Sequence, residues 1–89
     1  MTPRITEVRP LGEYRLLLVF SDGVRGEIDL RDWVVGQGGV FEKLEDPAFF
    51  RQVRVNEELG TVVWPNDVDF CPDVLYGRVI GEPVGIRRG

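Results

Sequence analysis

YRLLLVFSDGVRGEIDL, residues 14–30, decides the fold class. Tyr14, Leu16, Leu18 and Phe20 recur at every second position and line one face of a strand. Leu17 and Val19 keep the other face partly apolar, as in a central strand. Ser21-Asp22-Gly23 supplies the polar, glycine-containing turn of a tight hairpin. Beyond it, Val24, Gly26, Ile28 and Leu30 alternate inward against Arg25, Glu27 and Asp29, giving a half-exposed antiparallel partner.

Upstream, RITEVR at 4–9 lies between Pro3 and Pro10 and reads as a short edge strand, because proline removes a ladder donor. PLGE then turns the chain. Downstream, RDWVVGQGG at 31–39 has no clear period and reads as a loop or a short helical turn. VFEKLE at 40–45 fits a short helix burying Val40, Phe41 and Leu44. Asp46-Pro47 is a helix start, with Asp as N-cap and Pro at the first helical position. The helix that follows, 47–52, buries Phe50 and Phe49. VRVNE at 53–57 and TVVW at 61–64 form a second hairpin around Asn56 to Gly60.

The last ordered element follows the corner WPNDVDFCPD. Pro72 opens a helix with Cys71 at its cap and Asp73 in its first turn, where the helix dipole favours an acid. That helix is expected to reach about Gly77. Residues 79–89 read as a loose tail, leaving a single domain over 3–78. The order β-β-β-α-α-β-β-α clusters strands around a helical insert. The class is therefore α+β, with a mostly antiparallel sheet of about five strands and short helices on one face.

Residue inventory narrows the chemistry. The 89 residues contain no histidine, and Lys43, Ser21 and Cys71 are the sole members of their types. A Ser–His or Cys–His nucleophile pair cannot be built within one chain, nor can a zinc site of Cys and His. An enzyme is not expected, and no catalytic, cofactor or metal-binding residue is assigned. The net charge of −4 disfavours direct binding to nucleic acid, which needs basic surface to displace counterions. No apolar core marks a leader at the start and no run is long enough to span a bilayer, so a cytoplasmic protein with no membrane contact is expected.

Four local features have the residue types of a site. GQGG at 36–39 lacks the Lys and Ser/Thr of a phosphate loop and reads as a flexible loop. Asp67, Asp69 and Asp73 offer oxygen ligands, but not at EF-hand spacing, and turn and cap roles explain them. Cys71 reads as a small buried hydrophobe. Trp33, Trp64, Tyr76 and the phenylalanines lack the interleaved basic residues of a strand-stacking surface and read as core. The candidate ligand or partner surface is Trp64, Asn66, Asp67, Asp69, Asp73 and Tyr76, although Pro65, the Asn66-Asp67 turn, Phe70 and Pro72 also have a sufficient structural reading as a strand-to-helix corner.

Three blocks carry a family resemblance. Val8 to Gly23 match a V-x-P-L-x-[DE]-Y-x-L-x-[LV]-x-F-x-[DN]-G pattern. Gly39 to Val53 match G-x-[FV]-x-x-L-x-D-x-x-x-F-x-x-V. Gly60 to Tyr76 match G-T-[IV]-x-W-P-[ND]-[GE]-x-D-[IFL]-x-P-[DE]-x-L-Y, with Asp67 departing at a position where many members have Gly or Glu. The chain thus resembles the small bacterial family called domain of unknown function 2442. The resemblance implies a small α+β domain with no established activity and no catalytic residues to carry over. It also implies relatives with a helix-turn-helix after this domain, and genes often set beside another small protein in a toxin–antitoxin-like arrangement. The expected function is an interaction module that binds a small partner protein. The alternative is a ligand sensor or transcription-regulatory domain working with a separate DNA-binding unit. A homodimer through the edge strand at 4–9 is a further expectation.

Overall fold

The computed structural model describes residues 3–81. Its class is α+β, as the expected order of elements implies. Three antiparallel strands, β1 (Ile5–Gly12), β2 (Arg15–Phe20) and β3 (Arg25–Asp29), form a meander with β2 in the centre. A short helix α1 (Arg31–Val34), two 3-10 turns (Gly39–Phe41 and Lys43–Glu45) and helix α2 (Pro47–Phe50) form the insert. Strands β4 (Arg54–Asn56) and β5 (Thr61–Val63) make a separate two-stranded sheet, and α3 (Pro72–Ile80) closes the described chain. The five expected strands are therefore split three and two. The sheets meet where the Ile5 N–H donates to the Gly60 carbonyl at 3.0 Å.

The core lies on one face of the meander. Leu16, Leu18, Phe20 and Ile28 project from the sheet onto Val34, Leu44, Phe50, Trp64 and Leu75, all buried. The opposite face is open to solvent. There Leu17 and Val19 are half-buried among Glu7, Arg9, Arg15, Arg25 and Glu27, whose positions the register sets beside them. Long arginine stems can cover aliphatic surface while their charged heads stay in water.

Turn chemistry accounts for the hairpins. Gly23 takes φ +91° while the Asp22 carboxylate accepts from the Val24 N–H at 3.0 Å. In the second hairpin the Asn56 side chain accepts from the Leu59 N–H at 3.0 Å, and its carbonyl accepts from Gly60. Asp46 caps α2 by accepting from the Ala48 N–H.

Several boundaries and burials differ from expectation. β1 runs through Pro10 to Gly12, because this proline sits on an edge strand where its missing N–H faces away from β2. Val40 is 60% exposed. The 3-10 geometry of the insert puts residues three apart on one side, so Phe41 and Leu44 turn inward and Val40 outward. Cys71 is exposed: it is an extended N-cap residue, and its neighbour Phe70 takes the inward direction. α3 passes Gly77 and stops at Gly81, whose φ of +72° provides the left-handed stop. Val79 and Ile80 thus belong to the helix, while the expected tail over 82–89 lies outside the described residues.

Candidate functional site

The strand-to-helix corner explains itself first as a construction. After β5, the Asp67 N–H donates to the Trp64 carbonyl and the Trp64 N–H donates to the Val68 carbonyl, both at 2.9 Å. Asp67 sits at φ +70°, a conformation that Gly, Asn and Asp tolerate best. The chain then bridges back to β5 through Asp69 and Val63. Thr61 donates its hydroxyl to the Phe70 carbonyl at 2.7 Å, locking the exit of the corner to its entry. Asn66 ties the corner to the insert by donating to the Val40 carbonyl at 3.1 Å.

Against this frame, the six residues singled out in the sequence separate. Trp64 is fully buried and its indole N–H donates to the Phe50 carbonyl at 2.9 Å, so it is part of the core. Asn66 is half-buried and engaged with Val40. Asp67, Asp69 and Asp73 are exposed, and among the described residues no three acidic or cysteine side chains gather as a metal site. Tyr76 belongs to a different junction. Its hydroxyl donates to the Asp22 carboxylate at 2.7 Å, and its ring meets Phe20 edge-on at 5.0 Å, pinning α3 to the β2–β3 turn. That bond holds the Asp22 carboxyl below its ordinary pKa, helped by the Val24 N–H. The same carboxylate raises the Tyr76 hydroxyl.

A second group surfaces beside the corner. Phe70 lies against Trp64 (5.7 Å between centroids), Trp33 (5.6 Å) and Phe41 (6.0 Å). Trp33, Phe41 and Phe70 are half-buried, so this aromatic chain starts in the core and reaches solvent. Its outer end is covered by Arg78 of α3, whose guanidinium carbon lies 4.4 Å from the Trp33 ring centroid. Each aromatic has an exposed acid next to it in sequence: Asp32 before Trp33, Glu42 after Phe41 and Asp69 before Phe70. Next to this face, Gly39, Val40, Glu42, Lys43 and Asn66 line a shallow groove.

The candidate surface read from sequence did not include Trp33, Phe41, Phe70 or Arg78. The available signal was the repeated pairing of an aromatic with an acid. What brings the pairs together is the long-range packing of insert, corner and α3, which no local period reveals.

No helix among the described residues is long and apolar enough to cross a membrane. No curated protein matches the chain. Among solved structures, a Nitrosomonas europaea protein named "Putative DNA Binding Protein" superposes with a TM-score of 0.76 at 30% identity. The match covers 90% of this chain but 52% of that one, so the chain spans about half the length of this relative. The family model described as "Protein of unknown function (DUF2442)" matches residues 5–81, nearly the whole described fold, and the chain belongs to that family.

Proposed function

We propose that this domain is a non-catalytic docking module that binds a partner protein through the face built by Trp33, Phe41, Phe70 and Arg78. The supporting observation is the aromatic chain that emerges from the core and ends under Arg78. Tryptophan and arginine are enriched at positions that dominate protein-binding energy, and rings held by a core lose little freedom on binding. The neighbouring acids Asp32, Glu42 and Asp69, with Asp73 on α3, suit a partner that carries basic residues around an apolar patch. The non-catalytic reading rests on the inventory: no histidine, one serine, and one cysteine far from it along the chain.

A second reading is a sensor or regulatory domain that works beside a separate DNA-binding unit. It is favoured by the Nitrosomonas europaea relative, which is about twice as long as the matched region and carries DNA binding in its name. In this reading the acidic domain makes no phosphate contacts itself.

Co-expression with the product of the adjacent reading frame, followed by light scattering, tests the first reading. A stable one-to-one or two-to-two complex is expected. A chain that purifies alone and gains no thermal stability from that product overturns it and leaves the regulatory reading.

A further inference from the structure

The outer edge of β1 carries a pattern that fits a second copy of itself. Phe20 donates its N–H to the Val24 carbonyl, on the β3 side. Backbone groups alternate along a strand, so those of Leu18 and Leu16 also face β3, while those of Leu17 and Val19 face β1. Their register partners Arg9 and Glu7 therefore bond to β2, leaving Val8 and Pro10 turned outward. Pro10, lacking an N–H, stands where none is needed by β2. Among the described residues, the main-chain bonds that β1 makes away from β2 lie at its start, at Ile5 with Gly60.

We propose that two copies pair through this edge, antiparallel, with Val8 on the two-fold axis. In that register each Val8 donates its N–H to the other's carbonyl. Glu7 of each copy then stands opposite Arg9 of the other, on the open face of the sheet. Within one chain these two side chains already form a 3.2 Å ion pair and are well exposed. Pairing closes them into a four-membered ring of alternating charge, and directly opposed opposite charges support strand pairing. A shift by two residues destroys this match.

The edge also limits the pairing. The irregular register around Ile5 and Glu7, the bond to Gly60 and Pro10 confine it to a short window. Bulges and prolines are the usual guards against open-ended edge association, and a two-fold contact closes on itself. A six-stranded sheet across the dimer is the result, with the aromatic face left free for another partner.

Sedimentation equilibrium of the isolated chain and of two exposed charge variants tests the pairing. The wild type is expected to be a dimer. Glu7→Arg alone and Arg9→Glu alone set like charges opposite each other twice, and each is expected to weaken the dimer at least about tenfold with unchanged circular dichroism. Mixing the two variants restores opposite charges across the axis and is expected to restore a dimer of one of each. A monomeric wild type at roughly millimolar concentration, variants that dimerise as tightly as the wild type, or a mixture that stays monomeric, each overturns the proposal.

Discussion

Trp64 and Phe50, fourteen residues apart, are joined by a 2.9 Å bond from the indole N–H to the main-chain carbonyl inside the core. The bond fastens the corner to the insert and places the inner end of the aromatic chain. Trp64→Phe leaves that carbonyl with only the longer 3.3 Å bond from the Val53 N–H and opens space around it. A loss of about 2–4 kcal/mol in urea unfolding is expected. A loss near zero contradicts the role assigned to the bond.

Asp67 holds a left-handed conformation that glycine adopts without strain. Asp67→Gly should therefore stabilise the fold by up to about 1 kcal/mol, less the entropy that glycine adds to the unfolded chain. Thermal unfolding of the pair of proteins measures the sign. A clear destabilisation indicates that the carboxylate itself is needed.

Gly26 leaves room for α3. A Cβ there stands 2.9 Å from Val79 Cγ1, closer than the two can remain. Because valine is stiff at χ1, the contact is relieved only by moving the helix. Gly26→Ala should cost about 1–3 kcal/mol, and Val79→Ala in the same chain should recover part of it. Independent, additive losses in the double variant contradict the contact.

The Tyr76–Asp22 bond sets a pH dependence. Asp22 has its pKa depressed in the fold, so its contribution is complete above the unfolded value and is lost as pH falls through the folded one, below about pH 4. Tyr76 is raised, so its contribution is present below the ordinary tyrosine value of about 10 and fades as pH climbs through the raised one. Carboxyl NMR of Asp22 should show its titration moving upward in Tyr76→Phe. An unmoved titration removes the bond as the cause.

Much of the fold was legible because its signals are local. Period-two alternation marks β2 and β3, Asp22-Gly23 marks their turn, and Pro47 and Pro72 mark two helix starts. The errors fall where the answer depends on distant partners. Val40 and Cys71 face solvent because their neighbours Phe41 and Phe70 take the inward direction. Gly77 looks like a stop, yet the left-handed residue that ends α3 is Gly81. Of the candidate surface, the acids lie outward as exposed residues, while Trp64, which precedes all three, is buried in the core. The aromatics that do reach solvent come from three separate segments.

The docking face is tested most directly by repeating the co-expression with Trp33→Ala and Arg78→Ala. Arg78→Ala should cost the isolated fold no more than about 1 kcal/mol, since the cation–π contact is at the surface. Light scattering should then show the wild-type chain in complex, and both variants folded but alone or bound at least about tenfold more weakly. A complex of unchanged affinity in both variants places the binding surface elsewhere on the domain and contradicts the proposal.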